Sequence, residues 1–263
     1  MFRNVIMFPN RLGQLKFGVE KTPFFLKSLI RPDIYQHEVK VSNDLSSNLH
    51  NLYEKSKLVE GHKVNIGGDH SMAIATVADS LRKYSNLKVV WFDAHCDINT
   101  YQESQSKNYH GMPLSILTGI EKDKSLNFTD KLLNPANLLY IGVRDIDPFE
   151  SQIMLEHNIK YLTVNQVNTD PYKCCNIISD FVSDNPVHFS FDVDGLDPSV
   201  IPSTGTTASN GIKLEPAFEI VNRMLQTNLK SVDITELNLE IGTVEDKEIS
   251  LINTIHLFEK YIF

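Results

Sequence analysis

The stretch Leu87-Lys88-Val89-Val90-Trp91-Phe92-Asp93-Ala94-His95-Cys96-Asp97 runs from apolar, β-branched and aromatic residues straight into a carboxylate, an imidazole and a second carboxylate at alternating positions. The first half reads as a buried β-strand and the second as the loop beyond its carboxyl end. The same arrangement returns in Val187-His188-Phe189-Ser190-Phe191-Asp192-Val193-Asp194-Gly195-Leu196-Asp197-Pro198. In extended chain, residues i, i+2 and i+4 point to one side. Asp93, His95 and Asp97 can therefore converge, as can Asp192 and Asp194, and five nitrogen or oxygen donors on two loops make the pattern of a two-metal hydrolytic site.

Working outward, similar strand-like runs fall at Asn4–Phe8, Ile34–Val39, Lys63–Ile66, Leu138–Val143, Ile159–Val164 and Ser231–Thr235. Helical periodicity lies between them: Asp44 to Glu60 carries Leu45, Leu49, Leu52 and Leu58 behind Asp44 as N-cap, Leu214 to Leu225 carries Phe218 and Val221, and Asp246 to Phe263 reads as a last helix. Strands too apolar for a solvated face, alternating with helices, predict a three-layer α/β/α fold around a parallel sheet of about eight strands. At 263 residues, one domain spanning 1–263 is expected.

A net charge of −8 argues against gripping nucleic acid or an anionic membrane and suits a cationic small substrate. Of three cysteines, Cys174 and Cys175 are adjacent helix residues and Cys96 lies in the proposed metal loop, so no disulfide framework is expected. The amino-terminal run Val5-Ile6-Met7-Phe8 lacks the long apolar region and cleavage site of a secretory signal, and nothing approaches a membrane span. A cytoplasmic location is expected.

In an open α/β sheet, ligands gather beyond the carboxyl ends of the strands. Gly67-Gly68-Asp69-His70, the Asp93 run, Asp192-Val193-Asp194 and Glu236 all fall there. One sheet edge can thus gather His70, Asp93, His95, Asp97, Asp192 and Asp194 as metal ligands, an oxygen and imidazole set that suits manganese, with zinc, iron or cobalt also allowed by donor type. Without cations the four carboxylates would repel one another. Asp69 and Asp145 have ordinary readings as caps or turn formers, and His37, His50, His62, His157, His188 and His256 read as surface or packing residues.

The segments Gly67-Gly68-Asp69-His70-Ser71, Asp93-Ala94-His95-Cys96-Asp97-Ile98-Asn99 and Ser190-Phe191-Asp192-Val193-Asp194-Gly195-Leu196-Asp197-Pro198 resemble the signatures of the ureohydrolase family, arginases in particular. The likeness extends from Gly18-Val19-Glu20-Lys21 to Glu236-Leu237-Asn238. It implies two Mn2+ per subunit, one on His70, Asp93, Asp97 and Asp192 and the other on His95, Asp93, Asp192 and Asp194, with a water or hydroxide between them. It implies hydrolysis of L-arginine to L-ornithine and urea, a step of arginine metabolism and the urea cycle. His110 matches the proton shuttle and Glu236 the carboxylate that pairs with the guanidinium, with Asp97 among the catalytic set. Asn99, Ser106 and Asn108, from the polar stretch Ile98–Tyr109, match a carboxylate-binding pattern, Asp147 an amine-contacting position, and Thr206 a substrate-proximal one. The only partner implied beyond substrate is further copies of the chain, as trimer or hexamer.

Two departures stand out. Lys107 occupies a position usually glycine in arginases, and Leu239 one usually proline. The chain also ends at Phe263, short of the tail that helps some arginases assemble. Alternative readings are a ureohydrolase acting on agmatine or another guanidino acid, a catalytically silent relative that binds metal or amino acid, and a zinc deacetylase of similar architecture.

Overall fold

A computed structural model describes residues 2–126, 128 and 131–263. All eight strand-like runs form strands: β1 (Asn4–Phe8), β2 (Tyr35–Glu38), β3 (Lys63–Gly67), β4 (Lys88–Phe92), β5 (Leu138–Ile141), β6 (Lys160–Leu162), β7 (Val187–Asp192) and β8 (Leu229–Thr235). They lie in one sheet in the order β2-β1-β3-β8-β7-β4-β5-β6, and every pairing is parallel. The ends shift for local reasons. Gly142, at φ 93°, turns the chain out of β5. Thr163 caps the following helix, so Val164 begins that helix instead of ending β6.

The helices among the described residues are α1 (Thr22–Lys27), α2 (Leu45–Leu58), α3 (Ala73–Lys83), α4 (Pro113–Thr118), α5 (Pro148–Glu156), α6 (Val164–Thr169), α7 (Pro171–Val182), α8 (Leu214–Met224) and α9 (Val244–Phe258). Asp44 caps α2 as expected, accepting from Ser47 N at 2.7 Å. The last helix starts earlier than Asp246 because Thr243 and Asp246 form a reciprocal cap.

Strand alternation sends side chains to two cores. Val5, Met7, Val64, Ile66, Val90, Phe92, Phe189, Phe191, Val232 and Ile234 pack with Leu26 of α1, Val167 of α6, Ile178 of α7, Ile220 of α8 and Leu257 of α9. Ile6, Phe8, Val89, Trp91, Leu138 and Tyr140 pack with Leu49 of α2, Ile74 and Val77 of α3, Leu114 of α4 and Ile153 of α5. These are the two helical layers of the expected three-layer fold. Cys96, Cys174 and Cys175 are buried and unpaired. No helix among the described residues is long and apolar enough to cross a membrane.

This strand order places the site. β3, β8, β7 and β4 are consecutive neighbours, and they are the strands whose carboxyl ends carry His70, Glu236, Asp192 and Asp93. Parallel pairing puts those ends on one edge, so loops far apart in sequence meet.

Candidate active site

His70 opens a 3-10 turn after β3, with Asp69 as its cap. Gly68 is required there, because a Cβ would sit 1.6 Å from the Asn10 carbonyl oxygen. The turn aims His70 Nδ1 at three carboxylates: Asp93 Oδ2 at 3.1 Å, Asp97 Oδ2 at 3.0 Å and Asp192 Oδ2 at 3.1 Å. None of these has hydrogen-bond geometry, so Nδ1 is a buried nitrogen without a hydrogen-bond partner. A lone pair facing carboxylate oxygens fits a shared cation better than it fits a proton.

The second group lies alongside. His95 Nδ1 is 3.4 Å from Asp93 Oδ1 and 3.2 Å from Asp194 Oδ2. Asp93 thus turns one oxygen to each imidazole. The donor atoms of His70, Asp93 and Asp192, and those of Asp93, His95 and Asp194, lie within 4.8 Å of one another in each group. Backbone amides fix the carboxylates: His95 N donates to Asp93 Oδ1, Asp194 N to Asp192 Oδ1 and Ala94 N to Asp194 Oδ1. Asp97 takes a left-handed conformation, φ 50°, a strained setting of the kind concentrated at functional sites.

With protein groups alone, the charge balance is poor. Burial, followed by the neighbouring Asp194 and Asp93 charges, pushes the Asp192 carboxyl well above its ordinary range. Burial and Asp93 push Asp97 up to about 6, against the pull of His70. Bound cations would relieve this strain, and the oxygen and imidazole donors suit manganese.

Beside the carboxylates, His110 Nδ1 lies 3.1 Å from Glu236 Oε1. Burial lowers the pKa of His110, but the Glu236 hydrogen bond and charge outweigh it and raise it to about 9. Burial works to raise Glu236, and His110 with the His70 amide holds it below its ordinary value. Glu236 also adopts a left-handed conformation, φ 64°, and its carboxylate accepts from the His70 amide and faces His110.

A cavity of about 220 Å³ adjoins these groups, lined by His95, Asp97, Asn99, Ser106, Asn108, His110, Gly111, Glu150, Asp192, Asp194 and Thr206. Asn99, Ser106, Asn108 and Thr206 thus all line it, and Thr206 Oγ1 donates to Asp194 Oδ2 at 3.0 Å. Asp147 does not line the cavity. It caps α5 and accepts from Asn99 Nδ2 at 2.8 Å. Lys107 adopts φ 58°, where a glycine would be unstrained, and its ammonium turns back onto the Tyr101 and Gln102 carbonyls.

Several residues near the site are not singled out by the sequence patterns. Glu150, at the start of α5, accepts from Ile98 N and Asp147 N, and burial pushes it up to about 7. His188 is fully buried, an interior packing position as expected, within a polar network under α3. Its Nε2 lies 2.9 Å from Asp233 Oδ2, and Ser190 Oγ donates to the same oxygen and lies 2.9 Å from His70 Nε2. Burial works to lower His70, and without metal the three carboxylates outweigh it and hold the imidazole well above its ordinary value. With a cation at Nδ1, Nε2–H would donate to Ser190, which would fix tautomer and ring orientation. Trp91 stacks on His70 at 4.3 Å between ring centroids and donates to Asp93 Oδ2. The alternation of polar residues in β7 and β8 was the available clue to this network.

An all-parallel sheet that gathers paired imidazole and carboxylate groups over adjacent strand ends defines an α/β protein with a candidate metal site. Residues 11–257 match the Arginase family, and the chain belongs to that family. Among its relatives, the arginase of Entamoeba histolytica is 32% identical, over 90% of this chain and 90% of its own length. That of Coccidioides posadasii is 36% identical over 75% of this chain, which spans only 65% of the fungal protein. The crystal structure of Entamoeba histolytica arginase in complex with L-ornithine superposes with a TM-score of 0.89 at 30% identity, covering 98% of this chain and 99% of that one.

Proposed function

We propose that the protein hydrolyses L-arginine to L-ornithine and urea with two manganese ions at the His70–Asp93–His95 cluster. The observation that carries this reading is the orphaned His70 Nδ1 facing three carboxylate oxygens, with Asp93 shared by a second imidazole group and the His110–Glu236 pair beside it. His70, Asp93, Asp97 and Asp192 would hold one ion, and His95, Asp93, Asp192 and Asp194 the other. When bound, the cations supply Lewis acidity and water of depressed pKa at neutral pH.

The chain's own groups supply the rest. Glu236, ionised beside the cluster, pairs with the guanidinium and presents its central carbon. Water adds to that carbon and gives up a proton, the bond from that carbon to Nε breaks, and the leaving amine, the δ-amine of ornithine, takes a proton. His110, protonated at neutral pH by virtue of Glu236, stands as the donor. Asn99, Ser106 and Asn108 receive the α-carboxylate, and Thr206 steadies Asp194. Three buried, unpaired cysteines suit a reducing, cytoplasmic setting.

One observation favours a second reading. The Asn99 amide already donates to Asp147, so a donor assigned to the α-carboxylate is engaged within the protein. Agmatine, which lacks the carboxylate, is the rival. Urea release from each, by protein stripped with chelator and reloaded with manganese, separates them. Urea from arginine alone supports the first reading, urea from agmatine the second, and silence with both removes the proposal.

A further inference from the structure

The segment after β1 crosses the candidate site. Gly13 N donates to Asp69 Oδ2 at 3.0 Å, and His110 N donates to the Gly13 carbonyl at 3.1 Å. A Cβ on Gly13 would lie 2.4 Å from Asp69 Oδ1, so this crossing needs glycine. Asp69, fully buried, also accepts from Asn10 Nδ2, and the Lys16 ammonium fastens the far end to the Gly205 carbonyl. Between these anchors lies Gln14, 5% exposed, whose Nε2 donates to Glu236 Oε2 at 2.6 Å.

The division of contacts on Glu236 is informative. Oε1 receives the His70 amide at 2.8 Å and faces His110 Nδ1 at 3.1 Å. Oε2 receives Gln14. Two contacts on one oxygen leave the carboxylate free to swing about that oxygen, and a donor on the other fixes its plane. A guanidinium is itself planar and pairs in register with a carboxylate, so that plane sets the direction of its central carbon. A neutral amide does this without cancelling the charge that attracts the cation, which a lysine or arginine at this position would do.

We infer that Gln14 is a positioning residue for the guanidinium-binding carboxylate, acting through Glu236 Oε2, and so governs guanidinium orientation in the reaction. This rests on the assignment of Glu236 made above. Gln14 acts at the guanidinium end, common to arginine and agmatine, and not at the amino-acid end.

The test is Gln14→Met, which keeps length and loses the donor, in manganese-loaded protein. Expected is a fall in kcat/KM of about 10–100-fold, shared between a higher KM and a lower kcat, and equal for every guanidino substrate the wild type turns over. Inhibition by L-ornithine, which lacks the guanidinium, should stay within twofold, and the manganese-induced rise in Tm should be unchanged. Binding of guanidinium ion, measured by calorimetry on wild type and variant, should weaken at least tenfold whether or not arginine is the substrate. It therefore separates this inference from the assigned reaction. Kinetics and guanidinium binding within twofold of wild type would overturn the inference, as would ornithine inhibition weakening in step with kcat/KM, the mark of a merely structural role.

Discussion

Replacing Asp93 with alanine tests the shared-carboxylate geometry through heat stability. Asp93 turns Oδ2 to His70 and Oδ1 to His95, so its loss opens both donor groups, whereas His95→Ala opens only the group it forms with Asp93 and Asp194. At a free manganese concentration 100-fold above a dissociation constant shared by the two sites, each filled site stabilises the fold by about 2.7 kcal/mol, and two by about 5.4. A chain of this size gains roughly 2–4 °C in Tm per kcal/mol. Scanning calorimetry of chelator-stripped protein, with and without manganese, should therefore show a rise of about 11–22 °C for wild type. The rise should be roughly half that for His95→Ala and close to zero for Asp93→Ala. Subtracting each variant's own metal-free Tm removes the cost of the broken Trp91 and His95 amide contacts. A rise in Asp93→Ala of half the wild-type value or more would refute sharing, and loss of the whole rise in His95→Ala would refute two separable groups.

Other perturbations probe the neighbouring groups. In metal-stripped protein, burial works to lower His110, and Glu236 foremost raises it to about 9. The sign follows: a histidine with a folded pKa above its ordinary 6.5 stabilises the fold below that value and loses this contribution as pH climbs from 6.5 through about 9. Glu236→Gln should bring the His110 imidazole titration, followed by NMR, down toward its ordinary value, and an unmoved midpoint would show that the pair is not coupled. Asp233→Asn, which leaves Ser190 and His188 without their shared anion, should weaken manganese binding about 10–100-fold, and unchanged affinity by metal titration would show that the network does not orient His70. Lys107→Met should speed amide exchange across Tyr101–Asn108 and raise KM for arginine more than for agmatine, because the ammonium ties the loop to the Tyr101 and Gln102 carbonyls. Unchanged exchange would show that this clasp does not hold the loop.

Local sequence carried the strands and the donor loops because both are local properties. Leu87–Phe92 and Val187–Phe191 are apolar over strand length, and the carboxylates stand directly after them. The strand order, by which β7 and β8 insert between β3 and β4, is not visible in any one run. Gln14 and Glu236 are 222 positions apart, and nothing near Gln14 marks it. His188 and Asp233 belong to polar alternations within their strands, and only parallel pairing, which sets Ser190 opposite Asp233, shows that they face each other beneath α3. Asp147, expected at an amine-contacting position, also caps α5 and accepts from Asn99 Nδ2. Local capping chemistry governs that side chain.

The most direct test is a manganese titration of the chelator-stripped chain in which bound metal and urea release from L-arginine are followed together. Urea production that develops as the second ion per chain is taken up would establish the two-cation site on His70, Asp93, His95, Asp97, Asp192 and Asp194. Full activity with one ion or none, or two bound ions without urea, would overturn it.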